Sequence, residues 1–415
     1  MYDAIVIGGR CAGAPTAMLL ARQGHRVLLV DRATFPSDTM STHGIPYRGL
    51  VKVKKWGLYE KILTTNCPEV LKITQDLGDF PLTGQLYKAD GVAGLLCPRR
   101  AVLDKILVDA AVEAGVEVRE GYVVHDLLVE EGRVTGIKGA ARQGTSRPEK
   151  SPIVIGADGK HSFVARTVQA PTYREVPPLM CWYYTYWMDL QETPARFVVT
   201  WHATRVVLRI PTNDDLTCIL VGWPIAEFDH VRADIEQEYH AAIQMVSPLL
   251  AAALHPSRRV GRYVGTADLP NFFRKPYGPG WALVGDAGYH KDPVNAHGIS
   301  DAFRDAELLA ETVHAALSGA KPWTEALAHY EQQRNENAFP LYEQNCQAAA
   351  FTPPTADELR LRAALQAGNQ ADINALFSAV FGTIPRETFF HPDNLARILQ
   401  TAPAFPKLSK GTGLR

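Results

Sequence analysis

The chain has 415 residues, 46% hydrophobic and 21% charged, with a formal net charge of −1. That balance describes a soluble globular protein of about two to three structural units and gives no electrostatic ground for a nucleic-acid or anionic-membrane partner. Cys11, Cys67, Cys97, Cys181, Cys218 and Cys346 form no Cys-x-x-Cys pair, so neither a disulfide framework nor a metal site is expected, and a reducing, cytoplasmic setting is. No leader is expected before the first strand, and no apolar run is long enough for a membrane span.

The chain opens on YDAIVIG, an apolar, β-branched run that reads as a buried strand ending in glycine. AGAPTAMLLARQG then reads as a helix with Gly24 as its C-terminal cap, and HRVLLVD as a second buried strand ending in Asp31. Gly8, Gly9, Arg10, Cys11, Ala12 and Gly13 therefore occupy a strand-to-helix turn, and Asp31 follows Gly8 by 23 residues. Strand, glycine turn, helix, strand and acid together form a dinucleotide fingerprint. Gly8 permits the turn, Gly13 lets the helix lie close to the strand, and the helix N-terminus offers N–H groups to a pyrophosphate. Asp31 suits a ribose diol and argues against a 2′-phosphate there. Arg10 stands where the second glycine of G-x-G-x-x-G belongs; it keeps its backbone N–H and adds a guanidinium able to partner phosphate.

Further along, RAVLDKILVDAAVEAGVEV reads as a helix running into a strand, with Arg100 and Leu103-Asp104 on the helix. IVIGADGKHSFVAR (153–166) repeats the pattern of buried strand, glycine and polar turn, with Asp158 at the turn. Residues 179–223 change character: LMCWYYTYWMDL, ARFVVTWHATRVVLRI and LTCILVGW read as three strand-like segments of an antiparallel sheet. Trp182, Tyr183, Tyr184, Tyr186, Trp187 and Trp201 are candidates either for the core of that sheet or for the wall of an apolar pocket. Of these, Trp182, Tyr184, Tyr186 and Trp201 are the selected pocket residues. A helix is expected from about Val231 to Met245, then a return strand. WALVGDAGYHKDPVNAHGISDAFRDAELLA (281–310) is a buried strand, Gly285-Asp286, a proline loop and a helix from about Ile299. Asp286 past a strand end suits a hydroxylated chain, and a helix starting near Gly298 aims its positive end at an anion. Lys291 and Asp292 read as pairing with one another. From about 320 the tail is helical, with Thr355 and Glu358 as a capping box, Gly368 and Gly382 as punctuation, and KLSKGTGLR as a frayed end.

GGRCAG with Asp31, then GADGKHS, then GDAGYHKDP leading to Gly298 resemble the three motifs of FAD-dependent (group A) monooxygenases built like para-hydroxybenzoate hydroxylase. The RAVLDKIL stretch is similar to that family too. The resemblance covers roughly 1–170 and 260–315. It departs at Arg10, at His297 where glutamine is common, and in the charged GYHKDP loop. It implies an α/β fold: a Rossmann-like FAD-binding domain of the glutathione reductase type (1–175 and 260–325), an inserted antiparallel substrate sheet (176–259, with part of 68–98) and a helical C-terminal region (326–415). Carried over by position, Gly8 through Gly13 hold the ADP half of FAD, Asp31 and Arg32 flank the adenosine, and Val124 offers backbone to adenine. Arg100 approaches the phosphate or ribitol, Thr42 joins the cofactor-binding set, and Asp158 lies near the pyrophosphate. Gly285 and Asp286 meet the ribitol, and Pro293 to Ile299, with Gly298, line the flavin ring.

With one nucleotide fingerprint, the resemblance implies one FAD and no separate domain for NADH or NADPH. It implies reduction by NAD(P)H, oxygen addition at flavin C4a, and hydroxylation or epoxidation of a small, largely apolar or aromatic substrate. His43 and His297 are the titratable residues selected as facing the flavin; a structural histidine bonded to backbone is the competing reading for each. Expected partners are the small-molecule substrate, molecular oxygen and, as an alternative electron source, a flavin reductase. Two other reactions share the fold. A geranylgeranyl-type reductase would carry a cysteine–glycine element that FPSDTMSTHG lacks, and a halogenase a Trp-x-Trp-x-Ile-Pro element that GWPIAEF does not match. A non-enzymatic flavin sensor is the remaining alternative.

Overall fold

The computed structural model describes residues 1–401 apart from 79, 142, 143 and 191; the KLSKGTGLR end lies outside the described residues. Ala4–Ile7, Val27–Val30, Glu117–Arg119, Val154–Gly156 and Trp281–Leu283 form the parallel part of a six-stranded sheet in which Ala4–Ile7 lies between Val27–Val30 and Val154–Gly156. All four residues of each of the first two strands are buried. This explains their continuous apolar sequences, because a parallel sheet is covered on both faces. One face carries the helices Gly13–Arg22, Arg100–Glu113 and Gly298–Leu317. The other carries the meander Tyr122–Glu130, Arg133–Ala141 and Arg147–Lys150, through Tyr122, Leu127 and Ile137. Ala14, Ala17 and Met18 of the opening helix are fully buried, and burying the Met18 side chain alone contributes about 1.5–3 kcal/mol.

A seven-stranded sheet runs in the order Arg259–Thr266, Met180–Trp187, Thr217–Pro224, Arg205–Pro211, Arg196–His202, Lys72–Asp76, Leu82–Gln85. The stretch ARFVVTWHATRVVLRI is two strands, where one segment was expected. Arg196–His202 and Arg205–Pro211 pair antiparallel, and Ala203 turns between them at φ +49. Ala-Thr carries none of the Asn-Gly or Asp-Gly signature of a tight hairpin, so the turn is silent in sequence. The expected helix from Val231 is broken at Asp234 into Phe228–Ala233 and Ile235–Val246, with Asp234 capping the second.

Residues of this sheet alternate strictly. Met180, Trp182, Tyr184 and Tyr186 face a cluster that includes Leu208, Leu220, Leu365, Phe377 and Phe389, the last three from C-terminal helices. Cys181, Trp187, Val207 and Trp223 face Tyr239 and Ile243 of the helix Ile235–Val246, with Tyr183 packed partly against them. Tyr183 and Trp187 thus lie on the face opposite Trp182. The capping box forms as read: Thr355 and Glu358 bond reciprocally at the start of Ala356–Ala367, and Gly382 ends Gln370–Phe381 at φ +89. Among the described residues no helix is long and apolar enough to cross a membrane.

The opening helix lies tight against the strand before it. A β-carbon on Gly13 would lie 1.8 Å from the Gly8 carbonyl oxygen and 2.9 Å from the Ala157 side chain. Gly13→Ala is therefore expected to lower stability by about 3 kcal/mol or more, read from the urea midpoint; a change within experimental error would mean that the helix does not sit this close.

Candidate functional site

The site grows from the glycine turn. Gly8 is at φ +105, and a β-carbon there would meet the Ala157 carbonyl oxygen at 2.4 Å; only glycine fits between the first strand and the Asp-Gly turn. Asp31 is nearly buried, its Oδ2 accepting the Gly9 N–H at 2.6 Å and its Oδ1 the Ala33 N–H at 2.7 Å. The carboxylate therefore fixes the glycine turn before any ribose reaches its remaining lone pairs. Arg32 is exposed beside it. The strand bearing Val124 leaves from the same place, since the Tyr122 N–H donates to the Asp31 carbonyl at 2.8 Å. Asp158 caps the short helix Phe163–Thr167, accepting from the N–H groups of Phe163 at 2.6 Å and Val164 at 3.3 Å. Its Oδ1 has no partner among the described residues, and burial raises its pKa.

Arg10 is partly exposed, but its guanidinium turns inward. Its Nη1 donates to Asp104 Oδ2 at 2.5 Å and its Nη2 to Ser37 Oγ at 2.8 Å, with the guanidinium over the Phe35 ring. Arg100 grips the same carboxylate from Nε and Nη2, both at 3.0 Å, and Cys11 Sγ lies 3.4 Å from Asp104 Oδ1. Asp104 is fully buried. Two guanidinium charges against one carboxylate leave a surplus positive charge beneath the turn, which suits an anionic pyrophosphate. Burial pushes the Cys11 thiol up, so it stays protonated and is no nucleophile. Asp104 was visible in the sequence as part of the helix but carried no role. Its spacing of four from Arg100 was the available signal.

The Gly-Asp turn closes the other side. Gly285 is at φ +61 and a β-carbon on it would lie 2.7 Å from the Ala12 side chain, so this turn touches the glycine turn directly. Asp286 is exposed, and its charge bears on Arg100. Beyond it Pro293–Asn295 makes one tight turn, Ala296 sits at φ +54, and Gly298–Leu317 begins. Gly298 is exposed, with nothing within 4 Å of where its β-carbon would be. Ile299 is buried behind it, and neither this helix nor Gly13–Arg22 has a side-chain cap at its N-terminus. An open space thus faces free N–H groups and a positive helix end. A flat ring with negative charge at one edge fits it.

His43 lies where this loop meets the sheet. A β-carbon on Gly44 would be 3.2 Å from that of Ala296. His43 is fully buried at φ +57, its Nε2 2.9 Å from the Tyr186 hydroxyl, with the Tyr184 ring edge-on; Thr42 is buried beside it. Burial, with Arg100 and Arg99 nearby, pushes its pKa down to about 3, so the imidazole is neutral. His297, the residue before the Gly298 helix, is held at about 4 by burial against the pull of Asp301. Trp182 and Tyr184 are almost wholly buried, and Trp201 stands edge-on to Phe351. The structure therefore groups His43, Tyr184 and Tyr186, and carries Trp201 toward the C-terminal helices. Lys291 and Asp292 do not pair: Lys291 bonds Asp301, and Asp292 accepts the Trp182 indole N–H at 3.1 Å.

A family model described as "FAD binding domain" matches residues 1–344. The chain belongs to that family, the FAD-dependent flavoproteins similar to group A monooxygenases, and its cofactor is FAD. It is 24% identical over 382 residues to digeranylgeranylglycerophospholipid reductase 2 of Methanopyrus kandleri, covering 90% of this chain and 91% of that one. The myxobacterial chondrochloren halogenase CndH superposes with a TM-score of 0.78 at 22% identity, over 96% of this chain and 97% of its own. PqsL of Pseudomonas aeruginosa, described as "a probable FAD-dependent monooxygenase", gives 0.69 at 19% identity over 92% and 100%. At these identities the likeness to solved structures is one of fold. The family is that of FAD-dependent oxidoreductases.

Asp104→Asn keeps the side-chain shape but leaves two largely buried guanidiniums facing each other, and is expected to cost about 3–5 kcal/mol, read as a fall in the denaturant midpoint. A pH series tests the histidines. Unfolded, both imidazoles return to a pKa near 6.5. Stability is thus full above that pH and falls as pH drops toward 4, because only the unfolded chain takes up the protons. His43→Gln should flatten part of that acid limb between about pH 6.5 and 4.5; an unchanged slope would mean that His43 is charged in the fold.

Proposed function

We propose that the protein is a FAD-dependent monooxygenase that uses NADH or NADPH and molecular oxygen to hydroxylate or epoxidise a small, largely apolar or aromatic substrate. The observation that carries this reading is the open space before Gly298, set against a sheet face whose titratable neighbour, His43, is neutral and dry. FAD, when bound, supplies hydride acceptance and oxygen chemistry. The chain's own residues bind and orient it and keep water out. Arg10, Arg100 and the uncapped helix Gly13–Arg22 serve the pyrophosphate, Asp31 the ribose and Asp286 the ribitol. Gly298, Ile299 and the preceding loop would hold the ring, and the positive helix end would favour negative charge on it.

Tyr184, Tyr186 and His43 border the reacting side. A neutral His43 bonded to Tyr186 can pass a hydrogen bond but holds no spare proton at neutral pH, which suits a substrate that needs no strong base. Exclusion of water, more than acid–base work, is what this face contributes. The reductase and halogenase relatives point to other reactions on the same scaffold. The missing cysteine–glycine and Trp-x-Trp-x-Ile-Pro elements argue against both here. Electrons from a separate flavin reductase remain compatible with the same site.

The purified protein should have an oxidised-flavin spectrum that bleaches anaerobically with NADPH or NADH and recovers in air. A flavin that refuses both nicotinamides would transfer the reduction step to a partner reductase, and a protein that takes up no FAD would refute the assignment. Asp286→Ala should lose flavin more completely than Arg10→Gly, since Arg10 can be replaced by the glycine usual at that position. Retention in the first and loss in the second would reverse the roles given to the two turns.

A further inference from the structure

Asp292 stands directly before the turn Pro293–Asn295 and is 1% exposed. Its Oδ1 accepts the indole N–H of Trp182 at 3.1 Å and the Val294 N–H at 3.0 Å; Oδ2 lies 3.4 Å from the same indole nitrogen. Its own N–H donates to Asn271 Oδ1 at 2.8 Å, and its carbonyl accepts from Asn345 Nδ2 at 2.8 Å. The substrate-side strand Met180–Trp187, the strand Asn271–Arg274, the long helix Trp323–Ala349 and the flavin-side loop therefore meet at one residue. No cation pairs with it among the described residues. Lys291 is taken by Asp301, which also pairs with Arg304, and His290 turns its Nδ1 to the Pro270 carbonyl. The other titratable groups that bear on it are the thiols of Cys181, on the strand, and Cys346, on the helix.

An asparagine would serve the two N–H groups equally well and avoid the cost of a buried charge without a partner. Burial raises this carboxyl to about 7, against the pull of the Trp182 and Val294 hydrogen bonds. At neutral pH its charge is thus poised, and both groups that set it belong to the proposed flavin surroundings: an aromatic side chain of the sheet and the loop before Gly298.

We propose that Asp292 is a positioning residue that couples the substrate sheet to the flavin loop, with the Trp182 indole as the link. The proposal rests on the reading that residues 293–299 line the flavin ring. In that arrangement a change at Trp182 alters how firmly the carboxylate holds the turn at Val294 and how much negative charge faces the ring. The effect passes to FAD through Ala296 and Gly298 and not through direct contact.

The test is the flavin midpoint potential of the holoprotein between pH 5.5 and 8.5, by dye equilibration, for wild type, Asp292→Asn and Trp182→Phe. Wild type should show an added pH-dependent step near neutrality. Asp292→Asn should keep its FAD and lose the step. Trp182→Phe, which removes the indole donor, should move the step upward by about one pH unit. If Asp292→Asn fails to fold, Trp182→Phe carries the test alone. A step that persists unmoved in Trp182→Phe, or survives in Asp292→Asn, overturns the proposal, as does its absence from wild type. A wild-type protein that binds no FAD instead removes the flavin reading beneath it.

Discussion

One buried carboxylate organises the nucleotide end of this molecule. Asp104 has no exposed surface and is held by Arg10 from the glycine turn and Arg100 from its own helix. Either guanidinium alone would balance it; both together leave positive charge where the backbone of the turn is also donor-rich. The side chain that breaks the glycine pattern is therefore turned toward a buried counter-charge. The turn keeps its shape because Gly8 and Gly13 remain at the two places where a β-carbon would strike backbone oxygen. The second glycine of the pattern is the position at which crowding can be relieved, since a long side chain can turn away and find a counter-charge.

The opposite end is built on exclusion. His43 is held in the left-handed region, a conformation that costs a non-glycine residue of order 1–3 kcal/mol and persists only where its surroundings over-determine it. Here those surroundings are the Tyr186 hydroxyl, the Tyr184 ring and the close approach of Gly44 to Ala296. The result is an imidazole that stays neutral through the physiological range, with Nε2 against Tyr186 and a buried Nδ1 that has no partner among the described residues. In the arrangement proposed above, the guanidiniums at one end and the buried, neutral imidazole at the other would suit a cofactor with an anionic tail and a flat, apolar head.

Much of this was legible in the chain because strands buried on both faces announce themselves as apolar runs ending in glycine. The two neighbouring strands, the Asp31 end, the Gly285 turn and the capping box at Thr355 all followed from residues close together in sequence. What escaped depends on distance or on phase. The bond from Arg10 to Asp104 spans 94 residues, and no local pattern predicts it. Lys291 and Asp292 are adjacent and opposite in charge, yet in extended backbone adjacent side chains leave on opposite sides, so one found Asp301 and the other Trp182. The aromatic run 182–187 supplied bulky residues to both phases of the alternation. Its period was readable there, but the choice of buried face was not.

The chain is similar to a reductase at 24% identity, to a halogenase at 22% and to PqsL at 19%, which separates what the fold decides from what the site decides. The fold brings the glycine turn and the Gly285 turn together at the ends of strands of one parallel sheet. The reaction depends on what stands across from the ring, and in the arrangement proposed above those groups are the neutral His43 and the aromatic Tyr184 and Tyr186. Chemistry that draws its reactivity from the cofactor and asks the protein chiefly for dryness and orientation is the kind such a wall can serve.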